Sequence, residues 1–266
     1  MTARAGDAAT MLFVPGDRPD RFAKAAAAGA DLVVLDLEDA VAPDRKAEAR
    51  GHVARWVAGN PGCAVRVNAA ETPWQGEDLA VVSRYECVVM LPKADPAAAR
   101  AVTNELIALV ETARGVLDAR EVAAVPNVRR LAFGSFDLAA ELGVDPADRD
   151  ALAPARSALV LASAAAGLSG PVDGVTADLH DETVLTDDVR YARRLGFTGK
   201  LCVHPKQVPI AAAALCPTGE EVRWARSVLG AASHGGAAAV RGQLVDKPVL
   251  DRARRILRYA PEGNGR

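Results

Sequence analysis

Several short stretches of this chain place charged side chains directly after apolar runs, where buried chemistry is built. In the first, Leu32-Val33-Val34-Leu35 is followed by Asp36, Glu38 and Asp39. The apolar run reads as a buried strand. Alternation along it puts Asp36 and Glu38 on one face and Leu37 and Asp39 on the other. Carboxylates at the end of a buried strand are costly unless a metal, a cation or hydrogen bonds receive them. The other reading is that they cap the next helix or stay solvated in a loop. In the second stretch, Arg66 lies between Val65 and Val67 and shares a face with Asn68. A guanidinium inside a fold keeps its charge and needs an anion, from a substrate or from a neighbouring strand.

The next two stretches bring carboxylates alone. Glu111 follows Leu109-Val110, and Asp137 ends Phe133-Gly134-Ser135-Phe136-Asp137. The Gly134-Ser135 turn lets the backbone approach a ligand. Asp137 then stands at a strand end, either as a ligand or as the cap of the helix expected from LAAELG. Two carboxylates with no histidine or cysteine beside them suit a hard cation with oxygen ligands. Mg²⁺ fits best, because it keeps several waters and takes one or two carboxylates plus substrate oxygens. His204 follows the last strand-like run and either donates a hydrogen bond or supports its loop. No histidine pair has zinc spacing, and neither a GxSxG elbow nor a P-loop is present.

The elements that must position these residues alternate regularly. Strand-like runs cover 12–16, 32–36, 64–68, 87–93, 105–112, 128–137, 171–178 and 200–205, each followed by a helical segment. The count and the length match a (β/α)₈ TIM barrel over residues 1–216. A doubly wound open sheet is the runner-up, but its GxGxxG fingerprint is missing. Residues 217–266 exceed what a barrel needs. They open with Thr218 and Glu221 at capping-box spacing, break at His234-Gly235-Gly236, and end in a basic helix over 249–259. This C-terminal helical extension is expected to contact a neighbouring subunit.

Composition narrows the function classes. Half the 266 residues are hydrophobic, a quarter are charged, and 4% are aromatic. The formal net charge is -2 and the pI about 6.1. These values offer no basic field for nucleic acid, no polybasic membrane signal and few stacking platforms. Cys63, Cys87, Cys202 and Cys216 form no CxxC pair and read as reduced residues. The start has no apolar signal core, so a cytoplasmic protein is expected.

The motifs in this order resemble the HpcH/HpaI aldolase and citrate lyase family, in particular its citrate lyase β-subunit-like acyl-CoA lyases. The resemblance is carried by LFVPGDRPDRFAKA, GADLVVLDLEDAVAPDRKAEAR, VRVN, VMLPK, ALVETARGVLDAREVA, LAFGSFDLAAELG, LGFTGKLCVHPKQV and GQLVDKP. It implies a (β/α)₈ barrel assembling as a trimer or hexamer, Mg²⁺, and a coenzyme A thioester that yields a 2-oxo acid. By position, Glu111 and Asp137 match the metal ligands, and Arg66 matches the arginine on the oxo-acid carboxylate. Gly134, Ser135, Phe136 and Asp137 form the turn expected to bind substrate. Glu38 and Asp39 match the acidic pair that orders water and the surroundings of the metal. Arg18 and Lys24 match cations near the coenzyme A phosphates, and Asp246 a late acid that reaches a neighbour's active site.

The chain departs from the family pattern at Ala9-Thr10, where many members carry Arg-Ser, and at Phe136, where many carry Glu. The second change implies a more apolar pocket. The expected activity is Mg²⁺-dependent cleavage of a malyl-, citramalyl- or citryl-CoA-type 3-hydroxyacyl-CoA into acetyl-CoA and a 2-oxo acid. The alternatives are a malyl-CoA-type thioesterase, a citrate lyase β subunit acting on an acyl-carrier thioester, and a metal-dependent aldolase for free hydroxy-oxo acids.

Overall fold

A parallel strand covered on both faces reads as a nearly continuous apolar run. Leu106–Val110 and Val88–Leu91 are accordingly buried at every position. The computed structural model describes residues 5–233, 239–240 and 243–260. The strands are β1 (Thr10–Pro15), β2 (Leu32–Asp36), β3 (Ala64–Arg66), β4 (Val88–Leu91), β5 (Leu106–Val110), β6 (Val128–Phe133), β7 (Val172–Asp173) and β8 (Gly199–Cys202). They pair in sequence order, and β8 closes on β1 with Met11 beside Leu201. This is the expected (β/α)₈ barrel. The helices are α1 (Phe22–Ala26), α2 (Lys46–Gly59), α3 (Gln75–Val82), α4 (Pro96–Ala101), α5 (Ala113–Leu117), α6 (Ala119–Ala123), α7 (Ser135–Leu142), α8 (Arg149–Ala165), α9 (Glu182–Leu195), α10 (Gln207–Leu215), α11 (Gly219–Ser233) and α12 (Lys247–Arg258).

Alternate strand residues fill the barrel. Met11, Val34, Ala64, Met90, Ile107, Leu109, Ala132, Val172 and Leu201 belong to one buried cluster. Its lower end is tied by Arg130, which is 1% exposed. The guanidinium donates from Nε to Gly170 O at 2.7 Å, and from Nη1 to Gly6 O at 2.7 Å and Ala8 O at 3.0 Å. Nη2 donates to Thr198 Oγ1 at 2.8 Å. One cation thus ties the residues before β1, β7 and β8 to β6 through neutral acceptors.

Two boundaries differ from the sequence expectation near the mouth. The segment expected as strand and loop over 128–137 leaves the sheet at Phe133, and α7 begins at Ser135. Asp137 is therefore the third helical residue and not a cap, and Gly134 takes the capping position. The seventh strand shrinks to two residues. It ends against Gly174, where a side chain would come within 2.6 Å of Ser135 Oγ and 2.9 Å of Phe133 O.

Outside the barrel lumen, Asp173 accepts from Arg156 Nε and from Lys200 Nζ, both at 3.0 Å. Burial alone would raise its pKa, but the two cations outweigh burial and hold the carboxyl below the usual range.

The chain divides into two compact units, residues 1–212 and 213–266. In the second, α11 and α12 pack through Ala225, Val228 and Ala253. The Thr218–Glu221 box forms, with Glu221 N donating to Thr218 Oγ1 at 3.2 Å and Thr218 N donating to Glu221 Oε2 at 2.8 Å. The expected break at His234–Gly236 lies outside the described residues. Among the described residues no helix is long and apolar enough to cross a membrane.

Two stability predictions follow from these buried charges. Arg130→Ala leaves several buried acceptors without donors and should cost about 3 kcal/mol or more in urea unfolding. A loss under about 1 kcal/mol would contradict the tie. Asp173→Asn should cost about 3–5 kcal/mol near neutral pH, because Lys200 is left buried without its anion. Because the folded pKa is depressed, the ion pair contributes fully above the unfolded carboxylate value of about 4. Its contribution is lost as pH falls towards the folded value, so wild-type and Asn stabilities should converge in acid.

Candidate active site

The strand ends at the carboxyl face enclose a cavity of about 390 Å³. Its lining comes from β1, β2, β3, β5, the β6–α7 turn, the segment after β7, and β8. Active sites of this architecture sit on that face because the loops after the strands converge there.

Arg66, the last residue of β3, organises the polar side. Its Nε and Nη2 donate to Asp36 Oδ1 and Oδ2 at 2.7 and 2.6 Å, a two-bond grip that fixes the guanidinium plane. Nη1 lies 3.0 Å from Glu38 Oε2 and 3.4 Å from Asp39 Oδ2. The Glu38 contact is an ion pair without hydrogen-bond geometry, so Glu38 Oε2 is buried and has no hydrogen-bond donor. The Arg66 cation also covers the face of Phe13, 4.8 Å from the ring centre. Arg66 therefore makes the structural ion pairs expected of a strand arginine and also lines the cavity. Asp36 uses one edge of the guanidinium, while the Nη1 corner turns towards the acids and the cavity.

The acidic turn after β2 is held from several sides. The Asp36 carboxylate accepts from the N–H groups of Glu38 and Ala40, at 2.9 and 3.1 Å. Lys46, 6% exposed, donates to Leu37 O and Glu38 O at 2.8 Å and to Asn68 Oδ1 at 2.7 Å. Burial lowers the Lys46 pKa, opposed by Asp36, Glu38 and Asp78. Asn68 in turn donates to Asp78, which also receives Arg50 Nε at 2.7 Å. Asp39 was expected on the face opposite Glu38. Strand alternation stops at Asp36, the chain turns with Val41 N donating to Glu38 O, and Asp39 comes round to line the cavity. Glu38 stays buried beneath. Burial pushes its pKa up to about 8, opposed by Arg66 and reinforced by Glu111, Asp39 and Asp36.

Across the cavity, Glu111 directly follows β5 and is 4% exposed. Its Oε1 accepts from Lys93 N at 2.9 Å. Lys93 has φ +46°, the one positive φ outside glycine among the described residues. That left-handed residue aims a backbone donor at the carboxylate, and such conformations cluster at functional sites. Gly134 is required for a related reason: any side chain there would overlap Glu111. Burial and the Asp137 carboxylate push the Glu111 pKa up to about 7, opposed by the Lys93 N–H and Arg66. Asp137, in the first turn of α7, accepts no hydrogen bond from the described residues, and Phe136 beside it is 40% exposed. Glu111, whose proton affinity is raised by burial and by its acidic neighbour, and Asp137, which has no donor among the described residues, form a donor set suited to a hard divalent cation.

The structure brings Arg66, Asp39, Glu111, Gly134, Ser135, Phe136 and Asp137 to one cavity, with Glu38 paired beneath. Arg18 and Lys24 do not line it. Arg18 pairs with Asp20 at 2.9 Å in solvent, and Lys24 is exposed on α1. Asp246 belongs to the other unit, where it caps α12 by accepting from Val249 N. His204 Nδ1 accepts from Lys206 N at 3.1 Å, the loop-supporting reading of that residue. Lys46 and Lys93 were missed. No spacing rule marks Lys46, which reaches loop carbonyls and Asn68, or Lys93, which acts through its own backbone N–H, though Lys93 ends the strand-like run VMLPK.

Comparison with known proteins agrees with this layout. The HpcH/HpaI aldolase/citrate lyase family model matches residues 9–205. A citrate lyase subunit beta-like protein of Mycobacterium tuberculosis is 43% identical, over 94% of this chain and 95% of its own. A (3S)-malyl-CoA thioesterase of Cereibacter sphaeroides is 34% identical, with 94% of each chain covered. The structure of the M. tuberculosis protein CitE with magnesium, acetoacetate and coenzyme A superposes with a TM-score of 0.86 at 40% identity, covering 98% of this chain and all of that one. The barrel, its mouth and the family match together show that this chain belongs to the HpcH/HpaI aldolase/citrate lyase family.

Proposed function

We propose that this protein is a Mg²⁺-dependent carbon–carbon lyase that cleaves a 3-hydroxyacyl-CoA of the malyl-, citramalyl- or citryl-CoA type into acetyl-CoA and a 2-oxo acid. The observation that carries the reading is the convergence of Glu111, Asp137 and Arg66 on one cavity. The magnesium and coenzyme A bound by the M. tuberculosis relative support the cofactor and the thioester.

Glu111 and Asp137 hold the metal, which supplies Lewis-acid stabilisation of charge developing on the substrate oxygens. Arg66 receives the acyl carboxylate at its Nη1 corner, because Asp36 already occupies the Nε–Nη2 edge. The N–H groups at the start of α7, from Ser135 to Asp137, have no intrahelical acceptors and favour an anion. Glu38 and Asp39 hold a water, or Asp246 of a neighbouring subunit enters, to take the hydroxyl proton. As that proton leaves, the electron pair forms the carbonyl of the oxo acid. The carbon–carbon bond breaks and its electrons pass to the thioester as an enolate, which then takes up a proton as acetyl-CoA. Arg18 and Lys24, on the barrel's β1–α1 side, contact the coenzyme A phosphates. The active form is a cytoplasmic homotrimer or hexamer in which residues 217–266 contact a neighbouring barrel.

A thioesterase reading is favoured by the malyl-CoA thioesterase relative. There a water held at the same mouth attacks the thioester carbonyl and releases free coenzyme A.

Mass-resolved products of malyl-, citramalyl- and citryl-CoA, with and without a chelator, test the proposal. Chelator-sensitive acetyl-CoA plus an oxo acid is expected; free coenzyme A without acetyl-CoA would establish the thioesterase instead. Glu111→Ala and Asp137→Ala should each reduce kcat by roughly 10²- to 10³-fold, and normal Mg²⁺-dependent turnover in either would refute the metal assignment. Proton and metal compete for Glu111, so Mg²⁺ affinity should rise about tenfold per pH unit below pH 7 and level off above it. Calorimetry at pH 6 and pH 8 should show proton release on metal binding mainly at pH 6.

A further inference from the structure

The cavity is divided by character. Its acids and its arginine come from β2, β3, β5 and the start of α7. The remaining arc is apolar. β7, β8 and β1 are consecutive in the closed barrel, and they supply Val175, Leu201, Val203, Phe13 and Pro15. Phe136 on α7 adds a further apolar side chain. Val203 and Phe136 are 42% and 40% exposed, so hydrophobic surface is left open at the mouth.

This arc is built rather than loose. Gln207, 4% exposed, accepts from the N–H groups of Val203 and His204 at 2.9 and 3.3 Å. Its Nε2 donates to Thr176 O at 2.9 Å. One buried amide therefore locks the segments carrying Val175 and Val203 to each other. Gly174 packs against Ser135 Oγ and Phe133 O, which fixes the same segment against the polar turn.

Charge sharpens the division. Among the described residues that line the cavity, Arg66 is the one base, and it already faces Asp36, Glu38 and Asp39. A second substrate carboxylate directed at Val175, Leu201 and Val203 would meet no cavity-lining cation there and would lose its hydration against valine and leucine.

Resting on the lyase reading above, we infer that the β7–β8–β1 arc with Phe136 selects substrates whose hydroxyl-bearing carbon carries an alkyl group rather than hydrogen or a carboxymethyl group. The matching products are 2-oxo acids with an apolar substituent, of the pyruvate and 2-oxobutyrate kind. Glyoxylate leaves the arc unfilled, and oxaloacetate places an anion against it. Adding one methyl to a substrate in an apolar pocket changes kcat/KM by roughly 10- to 200-fold.

The test compares kcat/KM for citramalyl-, malyl- and citryl-CoA, alongside calorimetric binding of pyruvate, 2-oxobutyrate, glyoxylate and oxaloacetate to the Mg²⁺-loaded protein. Citramalyl-CoA should exceed both others by about tenfold or more, and pyruvate and 2-oxobutyrate should bind more tightly than glyoxylate and oxaloacetate. Phe136→Ser and Val203→Ser, both at exposed positions that tolerate substitution, should reduce the citramalyl-to-malyl ratio severalfold. Turnover with no alkyl preference, or with citryl-CoA favoured, overturns the inference and leaves the lyase reading standing. An alkyl preference in oxo-acid binding without turnover of any thioester sustains the pocket assignment and overturns the lyase reading. Neither turnover nor selective binding overturns both.

Discussion

Arg66 neutralises a turn that could not otherwise be buried. Asp36, Glu38 and Asp39 approach one guanidinium, and two of these acids are nearly excluded from solvent. Desolvated carboxylates at such separations repel and retain protons unless a cation is shared among them. Even with Arg66 in place, burial keeps the Glu38 pKa near 8. Asp36 is the anchor of the arrangement. It grips one edge of the arginine with two hydrogen bonds and accepts from two backbone N–H groups of its own turn, so arginine and turn take up one position together. Lys46 holds the carbonyls of the same turn from behind. The acid that faces the cavity, Asp39, is presented by this frame.

The barrel supports that frame by separating stability from chemistry. At the lower end a cation, Arg130, is satisfied by neutral acceptors that belong to the ends of several strands. Behind the wall, Asp173 is satisfied by two cations. At the upper end the balance is left incomplete: Glu111 has one backbone donor and an acidic neighbour, and Asp137 has no donor among the described residues. Charge left uncompensated beside a cavity is what a metal and an anionic substrate can complete. The family relationship and the magnesium-bound relative are consistent with that physical reading.

The apolar arc gives the cavity two unlike walls, and unlike walls orient an asymmetric ligand better than uniformly polar ones. Gln207 and Gly174 fix the apolar wall without touching the chemistry. This is the role of supporting residues in preorganised sites.

Much of this was legible in the chain itself. Apolar runs interrupted by helices specify a parallel sheet covered on both faces, and their count of eight with no GxGxxG fingerprint favours a barrel over a doubly wound sheet. In such a barrel, polar residues at the ends of those runs fall at one mouth, which located Glu111, Arg66 and the Asp36–Asp39 turn from their positions alone. Alternation also put Arg66 on the face opposite its flanking valines, and the fold made that face the one at the cavity. Tertiary structure decided the rest. Where β2 stops, period-two alternation no longer applies, and the turn rather than the pattern sends Asp39 into the cavity. The early start of α7 makes Asp137 a helical residue instead of a cap. Lys46 and Arg130 act largely through backbone carbonyls of other segments and Lys93 through its own backbone N–H, and a backbone carbonyl or N–H is the same in every residue. Sequence types can mark the side chain that needs a partner, but only the folded arrangement determines which anonymous backbone group will be there to meet it.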